Sequence, residues 1–425
     1  MATGAREICA EEDTIQMLAL TTLSVLSATD AILLQKAFLL ACCTVLVLAM
    51  AVGAALFYLG PRRGWTGTVP ITAALIAAVW ALCGYGFAFG PALVPGFLGN
   101  PLGVFAGMAP GGAVTLHGIA FAAFHAAVAI LTVTIVSVVA AGRVRTGPWL
   151  VFVALWLLLV YSPIAYSVFN MADGWIFAGL EVNDQAGGLA VQVCAGATAL
   201  ALLLVLGRTP HPAPVRSTPA VLGGVVLLWA GAFGLNVGSE GVIDGLLGTI
   251  CLNTLLAPAV AAIAWSVVEV LRHGRPTLRG AASGVVAGIA AITPACNILT
   301  PLWTVLLGLL AGAICAALVA RRRKAVARPG TGFAVPGIHL VGGALGLSYI
   351  GLFGTGIGWK DTGQPDGLTD QSGAAIGVAA YAFMLAFLLA LVLRRSAGLR
   401  SSADRTEGAR RQPGSGTRTP SLPRP

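Results

Sequence analysis

Charged residues are scarce in this sequence. Asp, Glu, Lys and Arg make up 10% of its 425 residues, whereas hydrophobic residues make up 57%. Soluble domains carry roughly 25% charged residues, so this composition excludes an ordinary soluble protein. A chain of this length would otherwise form two or three soluble domains. We predict instead one membrane domain. Lysine is especially rare, with only Lys36, Lys324 and Lys360, so arginine supplies nearly all the positive charge.

Motifs of enzymes and of metal sites are missing as well. The sequence contains no Walker loop, no G-x-S-x-G and no H-E-x-x-H, and therefore gives no indication of an enzyme. None of its eight cysteines forms a C-x-x-C pair, and only Cys9 lies in a polar stretch. We interpret the other seven as buried thiols, and we predict no metal and no cofactor.

Long apolar stretches dominate what remains. Each is close to the 20 or so residues with which a helix crosses a bilayer, and each is too long and too evenly apolar for a strand of a membrane barrel. The fold class is thus an all-α polytopic membrane protein. Eleven transmembrane helices are predicted at residues 33–59, 69–90, 115–141, 148–169, 187–206, 219–238, 246–271, 278–296, 299–319, 334–356 and 373–394.

The gaps between these stretches alternate in charge. Nearly all basic residues fall in every second gap, and most acidic residues fall in the others. The basic gaps include Arg143 and Arg145, whereas Glu240 and Asp244 share an acidic one. Because Lys and Arg concentrate on the cytoplasmic side, the N-terminus is predicted outside and the C-terminus inside. The net charge of +9 is explained by basic helix ends facing anionic lipid rather than by a nucleic-acid partner.

Three regions follow from this pattern. Residues 1–32 form an outer N-terminal arm, which we predict to be uncleaved because its acidic residues do not suit a signal peptide. Residues 33–396 form the membrane domain. Residues 397–425 form a basic cytoplasmic tail, with too few apolar residues to build a core and therefore predicted to be disordered.

A short internal sequence similarity suggests a repeat. Gly53–Gly60 at the end of span one resembles Gly231–Gly238 at the end of span six. Five helices separate the starts of these spans, so the two halves would form an inverted 5+5 repeat followed by a final helix. Such repeats place the substrate path at their interface. The Gly-x3-Gly pairs that begin at Gly284, Gly308 and Gly342 indicate close helix packing.

Few ionisable residues lie in or next to the spans, and each polar candidate there has two interpretations. Asp184 precedes span five, where a carboxylate either caps the helix or attracts a cation. Gln192 in span five either forms a structural hydrogen bond between helices or lines a pore. His125 and His339 lie inside spans, where a neutral imidazole can both donate and accept a hydrogen bond; we favour a functional role because polar groups are costly in a membrane.

At these residues the chain resembles the Amt/Mep/Rh family of ammonium transporters, over roughly residues 35–395. The motifs occur in order and at the family spacing. They are Ala55–Tyr58, Gly84–Gly90, Trp156, Tyr161–Ala165, Asp184–Gly188, Gly234–Ser239, Gly274–Leu278, Ser283–Gly284 and Ile292–Cys296.

The resemblance implies a role for individual residues. Asp184 matches the aspartate that orders the outer recruitment site, and Ser239 matches a serine that contacts the cation there. Phe124 matches one of two phenylalanines that block the pore entrance. His339 matches one of two pore histidines, and Phe57 and Tyr58 match the inner-end aromatics of span one.

The sequence also departs from the family pattern. Val128 replaces the second entrance phenylalanine, Phe169 the cage tryptophan, and Leu235 another cage aromatic. Fewer rings weaken cation recruitment, since each contributes on the order of 0.5–2 kcal/mol. Gln192 replaces the second pore histidine; it can bond His339 but cannot carry a proton. His125, at a position resembling a family glutamine, is a candidate second pore imidazole.

Taken with its resemblance, the sequence predicts ammonium or ammonia transport across the cytoplasmic (inner) membrane by a homotrimer with one hydrophobic pore per subunit. Asp184, Ser239 and Phe169 would bind the cation. Two alternatives stay open: a sensor or scaffold that transports poorly, and a pore for another small neutral gas. The family's C-terminal regulatory motif is largely missing after Gly398-Leu-Arg400, so a PII-type regulator is unsupported.

Overall fold

A computed structural model of the chain describes residues 2–60, 68–102, 115–207, 217–325 and 333–401, with the backbone alone for 2–28 and 321–325. Within these ranges each predicted span coincides with one apolar helix. We label the helices in chain order: α1 (Ala2–Leu59), α2 (Thr68–Phe89), α3 (Leu116–Ala140), α4 (Thr146–Phe169), α5 (Gly188–Leu206), α6 (Thr218–Glu240), α7 (Leu246–His273), α8 (Leu278–Ile292), α9 (Pro301–Ala325), α10 (Pro336–Phe353) and α11 (Asp366–Ser396).

Several helix ends differ from the predicted ones; α9, for example, continues to Ala325 rather than ending at 319. In the described ranges, ten helices are long and apolar enough to cross a membrane, whereas α8 has 15 residues. The prediction for span eight, 278–296, is too long because the backbone turns after Ile292, through a segment that contains Pro294. Helix α11 begins at Asp366 rather than at 373. Helix α1 begins at Ala2, so the backbone of the predicted arm is helical from that residue on.

A small hairpin makes the fold nearly, rather than entirely, helical. Strands β1 (Ala92–Val94) and β2 (Leu98–Gly99) pair antiparallel between α2 and α3. The all-α prediction missed them. Pro95 and Gly96 make the turn, and Gly96 adopts a positive φ of 74° that suits glycine. The Asp173 carboxylate accepts a hydrogen bond from the Gly96 N–H at 3.0 Å, which ties the hairpin to the segment after α4.

Small residues bring the helices into close contact, as the Gly-x3-Gly pairs predicted. A Cβ atom at Gly284 of α8 would lie 2.6 Å from the Ala261 carbonyl oxygen of α7. One at Gly308 of α9 would lie 2.7 Å from the Ala257 carbonyl oxygen. Helices α8 and α9 therefore both pack against the backbone of α7, and larger side chains would separate them.

Two groups of helices surround the region described below. Helix α1 packs along α3 and α6, and α5 packs against α3, α10 and α11. Helix α5 is the most deeply buried of the ten long helices. Large apolar side chains on the outer helices, such as Phe38, Val45, Ile263 and Ile376, are exposed. This is the arrangement of a bundle surrounded by lipid, with its polar side chains turned inward.

Candidate functional site

Asp184 caps the start of α5. Its side chain is only 7% exposed. The carboxylate accepts hydrogen bonds from the backbone N–H groups of Gly187 at 3.2 Å, of Leu189 at 2.7 Å and of Gly188. These are donors that a helix leaves unpaired at its N-terminus, so the predicted capping contact is confirmed. Burial raises the pKa of Asp184 to about 6, although the backbone hydrogen bonds act in the opposite direction.

Two glycines allow the chain to close around this carboxylate. Gly187 has a φ of +96°, a left-handed conformation that carries the chain into α5. Gly188 lies against Pro294, whose Cβ would be 2.6 Å from a Cβ added at position 188. The sequence Asp184–Gly188 therefore combines a cap, a turn and a close packing contact in five residues.

Phe169 joins Asp184 to the side chains of α3. The Phe169 ring ends 3.4 Å from where a Cβ at Gly187 would be placed. Its centroid lies 5.4 Å from that of His125. The residue before His125, Phe124, is fully buried, and its ring rests on Gly238 near the end of α6. Ser239 follows and is half-buried.

A hydrogen bond links the segment around Asp184 to the end of α6. The Gln185 side-chain amide donates to the Glu240 carboxylate at 2.6 Å, which connects the residue after Asp184 with the residue after Ser239. Neither partner was predicted as a site residue, because the two lie 55 positions apart and no local sequence pattern indicates that they are in contact. We call the whole set the Asp184 cluster: Asp184, Gln185, Phe169, His125, Phe124, Gly238, Ser239 and Glu240.

His125 lies in this cluster among aromatic rings. Its centroid is 4.4 Å from Phe121, 4.5 Å from Phe89, 5.3 Å from Phe124 and 5.4 Å from Phe169. The side chain is 6% exposed, and its Nδ1 atom has no hydrogen-bond partner in the described part of the chain. His125 therefore packs against aromatic rings in and next to the Asp184 cluster. The side chain bonded to His339 Nδ1 is that of Gln192 rather than of His125.

A second set of polar residues links α1, α5 and α10. His339 Nδ1 lies 2.6 Å from Gln192 Oε1, and His339 Nε2 lies 3.0 Å from the Tyr58 hydroxyl. The predicted bond between Gln192 and His339 is therefore confirmed. An amide oxygen can only accept, so Nδ1 carries the ring proton and Tyr58 donates to Nε2. We call Tyr58, His339 and Gln192 the His339 trio.

Irregular helix turns place two members of the trio. Gln192 lies in a π-helical turn at Gly188–Val193, and His339 lies in another at Pro336–Leu340. Such turns are rare and occur often at functional sites. Gly343 of α10 meets the Gln192 side chain closely, since a Cβ there would be 2.8 Å from Gln192 Cβ. The close approach of α5 and α10 brings the histidine and the amide within bonding distance.

Apolar residues surround both groups. Phe57 is buried next to Tyr58, with ring centroids 4.8 Å apart. Val128 and Leu235, which we predicted to replace aromatic rings of the family, are buried too. In the described part of the chain, no group of three or more His, Cys, Asp or Glu side chains is arranged to hold a metal ion. The site chemistry is that of hydrogen bonds and aromatic faces.

Comparison with known proteins identifies the family of this chain. A model of the Ammonium Transporter Family matches residues 37–411. An ammonium transporter of Mycobacterium tuberculosis (strain ATCC 25618 / H37Rv) is 35% identical over 409 residues, which cover 84% of either chain. The crystal structure of Saccharomyces cerevisiae Mep2 superposes with a TM-score of 0.76 at 27% identity, covering 87% of this chain and 88% of Mep2.

A structure described as a sensor Amt protein is also similar, with a TM-score of 0.79 over 89% of this chain and 98% of that one. Its identity is 21%, so this likeness concerns the fold alone. The family match and the identity to the mycobacterial transporter carry the assignment. The chain belongs to the Ammonium Transporter Family, a family of multi-pass membrane transporters rather than enzymes.

Proposed function

We propose that this protein carries ammonium nitrogen across the cytoplasmic membrane, taking up the ammonium ion at the Asp184 cluster and passing ammonia along the His339 trio. The observation that carries the proposal is the trio itself: a buried imidazole with both nitrogens bonded, between helices whose other buried residues are largely apolar. Polar groups are costly within a membrane and therefore mark a path for a polar substrate.

The Asp184 cluster suits the recruitment of a cation. Glu240 contributes a carboxylate at the end of α6, and Ser239 lies beside it. Asp184 fixes the start of α5 through its three backbone bonds. Phe169 and Phe124 present aromatic rings, and a cation near a ring face gains about 0.5–2 kcal/mol. These rings and the Glu240 carboxylate therefore offset part of the free-energy cost when the ion loses water here.

Beyond this cluster, the apolar surroundings favour the neutral molecule. An isolated ion in an apolar medium costs far more than a neutral amine. At the trio, ammonia can exchange one hydrogen bond for another with His339, Tyr58 or Gln192, since each has a donor or an acceptor within reach. The Tyr58 ring packs against both Phe57 and His339.

Uptake by reconstituted vesicles tests the proposal. Vesicles that contain the wild-type protein should take up ammonium faster than protein-free vesicles. The variant Ser239→Ala keeps the backbone of α6 and should slow uptake at low ammonium concentration more than at high concentration, because recruitment is impaired. Equal uptake with and without the protein would refute the proposal.

We also propose the finer architecture that the sequence predicted: eleven spans with the N-terminus outside, an inverted 5+5 repeat with a final helix, the three regions given above, and a homotrimer. Support for the orientation comes from arginines that cap helix ends. Arg143 donates to the Gly207 carbonyl and Arg394 to the Val205 carbonyl, each at 2.7 Å. Arg145 donates to the Ala397 carbonyl at 3.1 Å.

Reporter fusions and mass measurements test this architecture. A reporter joined at Ser401 should lie in the cytoplasm, and one joined at Gln364 should lie outside; the reverse at either site would overturn the eleven-span orientation. The protein purified in mild detergent should have three times the mass of one chain. A monomeric mass would refute the trimer and leave the transport proposal standing.

A further inference from the structure

His125 holds a buried nitrogen that the protein itself does not satisfy. Its Nδ1 atom is buried without a hydrogen-bond partner in the described residues, although the side chain is 6% exposed. An unsatisfied buried polar atom is destabilising and calls for an explanation. Here the explanation we favour is a ligand, because the nitrogen lies in the Asp184 cluster, where the transported ion would arrive.

The rings around His125 favour positive charge. Four phenylalanine centroids lie between 4.4 and 5.4 Å from its own: Phe121, Phe89, Phe124 and Phe169. A cation within about 6 Å of a ring centroid is attracted by the ring face. The rings around the imidazole therefore favour an ammonium ion placed next to it.

Two of these rings also belong to the path of the incoming ion. Phe169 contacts Gly187, next to the Asp184 cap, and Phe124 lies on Gly238, next to Ser239. The proposed recruitment site and His125 thus share the rings of Phe124 and Phe169. The trio is built from other helices and has its own bonds, so it does not supply the first ring nitrogen that the ion meets.

We propose that His125 Nδ1 removes the proton from ammonium at the Asp184 cluster. This inference rests on the proposed transport function. One N–H bond of ammonium breaks and an Nδ1–H bond forms, which leaves neutral ammonia and an imidazolium whose other ring proton is on Nε2. Ammonia continues towards the His339 trio. The proton leaves His125 for the water on the side from which the ion came.

The composition of the trio explains why the proton returns to that side. Gln192 is bonded to His339 Nδ1, and an amide does not take up a proton as an imidazole does. The trio therefore offers no second imidazole through which a proton could continue. Uptake by the wild-type protein is accordingly electroneutral: ammonia enters, binds a proton inside, and makes the vesicle interior more alkaline.

Three variants separate proton removal from simple binding. His125→Gln keeps a group that accepts a hydrogen bond but cannot take a proton, and His125→Phe removes both abilities. Each should lower ammonium uptake by about 100-fold, as expected for the loss of a general base. The matched control is His117→Gln, the same change two turns earlier in α3 at a half-buried histidine; its uptake should equal that of the wild type.

The outcomes distinguish this inference from the proposed function. Uptake by His125→Gln at the wild-type rate would overturn the inference alone, whether or not His125→Phe is active. Absence of uptake by wild-type vesicles would overturn the proposed function, and this inference with it. Gel filtration and thermal unfolding of each variant establish that it is folded.

A measurement on the wild-type protein covers the case in which the His125 variants do not fold. Uptake, interior pH and membrane current are recorded together after ammonium is added to wild-type vesicles. Uptake with rising interior pH and no current agrees with the inference. A current that grows in proportion to uptake would overturn it, because charge would then cross with the nitrogen.

Discussion

The Asp184 cluster and the His339 trio both contain a buried imidazole, but they treat it differently. In the trio both nitrogens of His339 are bonded, to Tyr58 and to Gln192. In the cluster Nδ1 of His125 has no partner within the described residues, and phenylalanine rings surround it. A bonded imidazole is held in one place and in one tautomer. An unbonded one is available to a ligand, so the two histidines are suited to different steps.

Removing the Asp184 carboxylate should have the largest effect. Asp184→Ala leaves buried backbone N–H groups at the start of α5 without an acceptor, which should cost on the order of 3 kcal/mol or more. We expect a low yield of folded protein and no uptake. Asp184→Asn keeps an acceptor and should fold better, yet transport poorly because the charge is absent. Yield, thermal unfolding and uptake measure this, and wild-type uptake by Asp184→Asn would exclude an electrostatic role.

The same carboxylate predicts how stability changes with pH. The pKa of Asp184 is raised from 3.8 to about 6 in the folded protein, so at pH 5 the folded state holds a proton that the unfolded state has released. Protonation of Asp184 therefore contributes fully to the stability of the folded state below about pH 4, and this contribution is lost as pH rises through about 6. A pKa shift of one unit corresponds to about 1.4 kcal/mol, so the free energy of unfolding falls by at most about 3 kcal/mol.

Thermal unfolding in detergent at several pH values measures this effect. Asp184→Asn does not titrate and is the control. As pH rises from about 4 to about 6, the wild type should lose stability relative to this variant. A difference that stays constant over this range would show that Asp184 remains ionised throughout.

A smaller change is expected in the His339 trio. Tyr58→Phe keeps the ring that packs on Phe57 but removes the hydroxyl, which leaves His339 Nε2 without its donor. We expect the free energy of unfolding to fall by about 1–3 kcal/mol. Uptake should be reduced but measurable, since His339 and Gln192 remain bonded. Unchanged stability would mean that the hydroxyl is replaced by water.

Exchanging the glutamine should change the charge that moves more than the rate of uptake. Gln192→His supplies a second imidazole beside His339, which can pass a proton onward. Uptake should change little, whereas a membrane current should appear that is absent in the wild type. This variant would restore the pair of pore histidines that the resemblance implies. No current in Gln192→His would show that the proton path is interrupted elsewhere.

The sequence predicted the helices well because the membrane imposes length and apolar composition on each of them. Helix ends were less accurate: α8 stops at Ile292 where the segment containing Pro294 turns, and no charge marks that turn. The Asp184 cap was predictable because it is local, within five residues. The bond between Tyr58 and His339 joins residues 281 positions apart and could not be predicted from spacing. Nor could the ring enclosure of His125, which needs α2, α3 and α4 to be assembled.

In the proposed mechanism, ammonia passes the His339 trio on its way across the membrane. We would test this by comparing ammonium uptake by vesicles of the wild type and of His339→Ala, each shown to be folded and present in equal amount. The substitution removes the ring that links Tyr58 and Gln192, and we predict that uptake falls to that of protein-free vesicles. Uptake by His339→Ala at the wild-type rate would contradict this mechanism, because the path of ammonia would then run elsewhere.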